Sequence, residues 1–261
     1  MDFEQTRAYW EQRASAGNSV QSTTDDVYLR KIEQRVLEEE ISTLSTSPEP
    51  PKVLDIGCGD GRTTIALAKA LPSVAFTGFD YAPAMVANAI ENGRADGVKN
   101  ASFHQHSVLE PFVSTYDIAY TTRCLINMPS WDAQTDAIRN IHGALSAGGH
   151  YLMVENFVEG QAAFNAVRAQ YGLPEIAIRD HNLFFERRKL LEAVTPLFHL
   201  VSEVNVSSTY YLVSRVVYSR MCMDRDEKPN YLDPHHELAS NLPFSGEYGP
   251  VRLLVFKKRI V

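Results

Sequence analysis

Val53-Leu54-Asp55-Ile56-Gly57-Cys58-Gly59-Asp60-Gly61 decides the fold. A short apolar run passes straight into three alternate glycines, and Ile65, Ala68 and Leu71 then recur at helical spacing. Glycine lets the backbone turn sharply and approach a ligand with no Cβ in the way. Ligands of open α/β sheets bind at the carboxyl ends of the strands, where this loop falls. A second apolar run at 74–79 follows, and further strands are expected at 101–104, 117–120 and 151–154, with a helix through Ile138, Ile141 and Leu145 before the last. Repeated strand–helix units predict an α/β fold with a parallel sheet covered by helices on both faces.

Toward the N-terminus, residues 1–14 carry a short helical pattern around Tyr9 and Trp10, and the small, polar stretch 15–26 reads as a loop ending at a helix N-cap. From Asp26, Leu29, Ile32 and Val36 form one stripe with Leu37 and Ile41 beside it. Ser47-Pro48-Glu49-Pro50-Pro51 ends that helix, because proline cannot continue it, and forms the clearest linker in the chain. We therefore expect an N-terminal helical lid at 1–46 and a main domain at 47–261. After residue 156 the rhythm changes: helical stretches near 161–171 and 186–194, a strand at 199–206, mixed sequence to 248 and a final run at 251–256. An insertion at about 156–250 is expected there.

The chain has 261 residues, 44% hydrophobic and 22% charged, enough for a sizeable core and unlike a disordered chain. Lys plus Arg number 25 against 32 Asp plus Glu, a net charge of −7, which argues against a nucleic-acid binder and for a small or locally recognised substrate. No stretch approaches the ~18–20 apolar residues of a membrane span, and the first residues lack the apolar segment of a signal peptide, so a cytoplasmic location and no membrane partner are expected. Cys58, Cys124 and Cys222 are odd in number and widely spread, and read as reduced thiols. His104 with His106, and His235-His236-Glu237, lack further ligands at a recognisable spacing, so no metal site is expected.

Asp80 ends the next strand, where a carboxylate can accept hydrogen bonds from both hydroxyls of a ribose. A dinucleotide loop reads G-x-G-x-x-G and leaves room for a pyrophosphate. This one reads G-x-G-x-G, with Asp55 before it and Asp60 within it, carboxylates that repel a pyrophosphate but tolerate a cationic group. In the plainer alternative the glycines serve only a tight turn and Asp80 is a helix N-cap.

These residues resemble the class I S-adenosylmethionine (SAM)-dependent methyltransferases, whose first motif is similar to VLDIGCGDGR. Phe79-Asp80-Tyr81-Ala82-Pro83-Ala84-Met85 is similar to the family's second-strand motif, Tyr116-Asp117-Ile118-Ala119-Tyr120 to its fourth strand, and Leu145-Ser146-Ala147-Gly148-Gly149 to the loop before the fifth. The resemblance covers residues 52–157 and implies a Rossmann-like, mainly parallel seven-stranded sheet. It implies SAM binding at Asp55, Gly57, Cys58, Gly59, Asp80, Tyr81, Met85, Ser107, Val108 and Thr122, with Trp10 from the lid. Ser107 stands where many members have an acid for the adenine amino group, which shifts adenine recognition toward the backbone near Val108. Ala147 replaces a common proline.

The resemblance further implies methyl transfer to a small-molecule acceptor. Arg123 and Asn127 follow the fourth strand at the mouth of the sheet, where the one can meet an anionic group and the other orient a hydroxyl; a surface cation and a helix cap are the alternatives. Asp180-His181-Asn182 offers a tunable base, or a merely hydrogen-bonded loop histidine. YWEQRA, RCLIN and DHN together are similar to bacterial small-molecule methyltransferases acting on sugars, sugar phosphates or natural-product intermediates. His181 favours oxygen as acceptor; an N-methyltransferase or a non-catalytic SAM-binding regulator are the alternatives, and the glycine spacing speaks against a nicotinamide-dependent oxidoreductase. Either a monomer or a homodimer is compatible with a lid built from 1–46.

Overall fold

The computed structural model describes residues 2–19, 22–45 and 48–260. Val20 and Gln21 of the polar loop, and Thr46 and Ser47 at the start of the expected linker, lie outside the described residues. Helix α1 (Phe3–Ser15) starts at a capping box between Asp2 and Gln5, and α2 (Val27–Leu44) is capped by the Asp26 carboxylate. Alternating units follow: β1 (Lys52–Ile56), α3 (Arg62–Ala70), β2 (Ala75–Asp80), α4 (Pro83–Ala95), β3 (Ala101–Gln105), β4 (Tyr116–Thr122), α5 (Trp131–Ala144), β5 (Leu145–Asn156), α6 (Val158–Gln170), α7 (Arg187–Val194) and β6 (Phe198–Asn205). Helix α8 (Ser208–Tyr211) runs through a π-helical segment (Leu212–Val217) into α9 (Tyr218–Asp224), and α10 (Pro234–Ser240) precedes β7 (Val251–Lys258).

The seven strands form one sheet in the order β3-β2-β1-β4-β5-β7-β6. β1 to β5 are parallel, whereas β7 runs antiparallel to both β5 and β6. This is a Rossmann-like α/β fold. The order reverses between β1 and β4, so the switch-point crevice opens where Ile56 and Thr121 end side by side. The β1 residues Val53 and Leu54 have no exposed surface, as a strand covered on both faces requires.

One side of the core is built from α5 and α7 through Ile138, Ile141, Leu190 and Val194. The other gathers the α2 stripe Leu29, Ile32, Val36, Leu37 and Ile41 with Leu67, Tyr210 and Ala239. α2 is thus a core helix, while α1 rests on α4 through Trp10, Ala14, Ala82 and Met85. The segment 145–149, expected as a loop, belongs to β5: Leu145 pairs with Tyr116 and His150 with Ile118, and the residues between bulge out with Gly148 at φ 73°. The stretch expected as mixed sequence to 248 is largely helical, through α8, the π segment, α9 and α10. No described helix is long and apolar enough to cross a membrane.

Candidate active site

The turn after β1 is folded by its glycines. Gly57 and Cys58 both donate backbone N–H bonds to the Phe79 carbonyl at the end of β2, at 2.8 and 3.0 Å. Gly57 has φ 75°, and a Cβ there would sit 2.3 Å from Cys124 Sγ; one on Gly59, at φ 54°, would lie 2.8 Å from Thr23 Cγ2. Only glycine fits either place. The Gly59 N–H reaches across to Asp80 Oδ2 at 2.9 Å, and the Ala82 N–H donates to Asp80 Oδ1 at the same distance. The carboxylate therefore ties the glycine loop to the start of α4 and keeps acceptor capacity, since an ionised carboxylate offers about four lone-pair sites. Burial pushes Asp80 up to about 6, against the bonds from Ala82 and Gly59. Asp55, beneath the loop, accepts from the Thr64 hydroxyl and from Tyr120 at 2.7 Å, and burial pushes it up to about 7. Asp60 is paired with Arg62 at 3.2 Å.

One cavity of about 350 Å³ opens at this switch point, within the range of small-molecule sites. The residues expected to hold the cofactor line it, namely Asp55, Gly57, Cys58, Gly59, Asp80, Tyr81, Met85, Ser107, Val108, Thr122 and Trp10, together with Arg123, Asn127 and His181. Tyr81 packs against Phe3 of α1, ring centroids 5.1 Å apart. Met85 is buried under Trp10. Ser107 Oγ accepts from the Leu109 N–H, and the Val108 carbonyl accepts from Asn140. The Thr122 hydroxyl is buried and has no hydrogen-bond partner, an open polar atom at the end of β4.

Three placements give the expected acceptor residues a more specific setting. The Arg123 guanidinium is ion-paired with Glu33 of α2, at 2.7 Å to Oε1 and 3.0 Å to Oε2, so its charge is balanced within the protein. Asn127 donates to the carbonyls of Arg123 and Cys124, and its Oδ1 accepts from Asn182 at 3.1 Å, joining the turn after β4 to the segment carrying His181. His181 is stacked on Tyr9 at 4.8 Å and lies edge-on to Trp10 at 6.5 Å. The ring makes no hydrogen bond to another described residue. Burial, then the nearby Arg179, hold His181 below the usual histidine range.

Several residues that build the site escape sequence reading. Glu155 has no exposed surface and receives the N–H groups of Cys124, Leu125 and Ile126, at 3.0, 2.9 and 3.3 Å, which fixes the turn after β4. Its neighbour Asn156 ends β5, and this strand-end position is the signal that marks the pair. Asn156 lines the cavity, as do Arg30 and Glu33 on α2, Tyr211 just before the π segment and Arg215 within it. The wall carries four guanidiniums, on Arg30, Arg123, Arg179 and Arg215. Against them stand six carboxylates, on Asp25, Asp26, Glu33, Asp55, Asp60 and Asp80. Its formal charge is negative when all are ionised, which suits a cationic ligand. Among the described residues no group of three His, Cys, Asp or Glu is arranged to hold a metal.

Comparison with known proteins agrees with this geometry. Residues 53–149 match the family described as a methyltransferase domain, in keeping with the resemblance to the SAM-dependent methyltransferases, whose cofactor is S-adenosylmethionine. The chain is similar to a malonyl-(acyl-carrier protein) O-methyltransferase of Paenibacillus sp., 30% identical over 131 residues that span 47% of this chain and 46% of that one. It is also similar to a release factor glutamine methyltransferase of Fusobacterium nucleatum, 25% identical over 45% of this chain and 34% of that one. The chain spans less than half the length of these curated relatives. In fold it is similar to the N-methyltransferase NodS of Bradyrhizobium japonicum, solved with S-adenosyl-L-homocysteine, with a TM-score of 0.56, 16% identity and coverage of 97% of this chain and 98% of that one.

The glycine cradle, the Asp80 carboxylate and the open Thr122 hydroxyl fit this cofactor. Because Asp80 sits near 6 and its ionised form accepts hydroxyl hydrogen bonds best, cofactor binding favours loss of its proton. SAM affinity is therefore expected to rise from about pH 5 to about pH 7 and then level off, with proton release on binding near pH 6. Calorimetry in two buffers of different ionisation enthalpy measures both; a pH-independent affinity without proton release contradicts it.

Proposed function

We propose that this protein is an enzyme transferring a methyl group from SAM to a small-molecule acceptor, most favourably a hydroxyl oxygen. The observation that carries this reading is the continuity of the cavity: the glycine cradle and Asp80 share one cavity with His181, Asn127 and Asn156. When bound, SAM supplies a methyl group on a positively charged sulfur, ready for in-line displacement. Asp80 would hold the ribose, Tyr81 and Met85 the adenine, and the backbone of Gly57 and Gly59 would pass close to the cofactor. Trp10 and Phe3 of α1 cover this end, which excludes water from the displacement. His181, held neutral by burial and Arg179, is suited to accept the acceptor hydroxyl's proton. The net charge of −7 supports a small molecule over a nucleic acid, and the same reading places the protein in the cytoplasm as a monomer or homodimer.

His181→Gln is expected to lower turnover by about a hundredfold or more, with little change in SAM affinity, and to abolish the acid limb of the pH–rate profile. The reading as a whole is tested by calorimetry with SAM and S-adenosyl-L-homocysteine, followed by incubation of the SAM-loaded protein with a metabolite extract under mass detection of a one-methylene gain. Binding with a methylated product supports the enzyme. Binding without product moves the assignment to a non-catalytic SAM-binding protein, and absence of binding overturns both.

A further inference from the structure

Beyond Thr122 the cavity extends toward the seam between β5 and β7, past the residues expected to hold the cofactor. Asn156 ends β5 there and lines the cavity; it is only 7% exposed, and its Oδ1 is buried without a hydrogen-bond partner. A buried amide oxygen that the fold leaves unpaired is positioned for a donor from outside the chain. Tyr211 lines the same cavity at the point where α8 widens into the π segment, a local irregularity that often accompanies function. Its ring is fixed edge-on against Phe164 at 5.1 Å and beside the Arg215 guanidinium at 5.7 Å, yet its hydroxyl makes no hydrogen bond to another described residue. Ile176, packed in the same cluster, supplies an apolar wall.

We infer that Asn156 and Tyr211 form the acceptor subsite, and that it takes an uncharged, hydroxyl-bearing small molecule with an apolar body, a proposal that rests on the methyltransferase reading above. A second hydroxyl of the acceptor, not the one methylated, donates to Asn156 Oδ1, and Tyr211 provides another polar contact, while the proton of the reacting hydroxyl goes to His181. A phosphate or carboxylate group would need a guanidinium not already balanced. Arg215 is instead ion-paired with Asp26 and Arg123 with Glu33, Arg179 shares Asp25 with Arg13 at the outer rim, and Arg30 lies in the field of Asp60 and Glu33. Asn156 and Tyr211 are thus specificity-determining residues, distinct from the residues that hold the cofactor.

The test uses methyl-tritiated SAM with wild type, Asn156→Leu and Tyr211→Phe, each incubated with a metabolite extract divided by anion exchange into unretained and retained fractions. Label is expected in a product from the unretained fraction, at a rate about tenfold lower in Asn156→Leu and about threefold or more lower in Tyr211→Phe, with the loss mainly in the acceptor's KM. SAM affinity, measured separately by calorimetry, is expected to stay within about twofold of wild type in both variants, which also reports that they fold. Label confined to the retained fraction, or equal rates in all three proteins, overturns the subsite. Loss of SAM affinity in both variants assigns the residues to the cofactor or the fold and likewise overturns it. No SAM binding by wild type, or binding with no label in either fraction, overturns the methyltransferase reading itself.

Discussion

Replacing Asp80 with alanine is expected to weaken SAM binding about ten- to a few hundred-fold, since each charge-assisted hydrogen bond to a ligand hydroxyl contributes about 1.5–3 kcal/mol. The variant also loses the two backbone bonds by which Asp80 ties Gly59 to Ala82, so the glycine loop loses an anchor together with a ligand contact. Asp80→Asn separates the two effects, because an amide oxygen still accepts from the Gly59 or Ala82 N–H while the charge is gone. Titration calorimetry on both variants is the measurement. Near-wild-type affinity in Asp80→Ala would remove this residue from the cofactor site.

The largest effect on stability is expected from Glu33→Ala. Glu33 has no exposed surface and holds the Arg123 guanidinium by two contacts, so removing it strands a cation against the core face of α2. Breaking a buried pair from one side costs about 3–5 kcal/mol. In a chain of this length that lowers the melting midpoint by roughly 10 °C. The double variant Glu33→Ala/Arg123→Met, which removes both charges, is expected to regain much of the loss, and thermal or urea unfolding of the three variants closes the cycle. Equal midpoints for wild type and Glu33→Ala would mean that Arg123 is satisfied from the cavity instead.

The cofactor half is legible in sequence because its determinants are contiguous. Asp55 to Gly61 occupy one strand and its turn, and Asp80 and Tyr81 end the next strand, so apolar period and glycine spacing suffice to place them. The acceptor half is assembled from pairs that leave no local pattern. Glu33 and Arg123 are 90 residues apart and Asp26 and Arg215 are 189 apart, and on α2 the charges of Arg30 and Glu33 read as the polar face between Leu29 and Ile32. His181 has an acid and an amide as sequence neighbours, yet its ring stacks on Tyr9 from the first helix, a contact no spacing encodes. The π segment at Leu212–Val217 keeps an ordinary apolar pattern, so its wider turn, which carries Arg215 to Asp26, is invisible to periodicity. Gly148-Gly149 reads as a strand boundary because paired glycines usually mark turns, whereas here they form a bulge inside β5.

The place of β7 between β5 and β6 governs how the chain can be made. During synthesis β6 emerges with no neighbour to pair with, since β7 follows only after α8, the π segment, α9 and α10. At translation speeds of about 5–20 residues per second, the wait is on the order of several seconds. Throughout that interval the open edge of β5 and the apolar side chains of Leu200, Val201 and Val204, 39%, 58% and 37% exposed even in the finished sheet, face the crowded cell. A nascent chain ending short of Val251 thus presents two unpaired strand edges, and the final strand closes both at once, like a keystone set last into an arch.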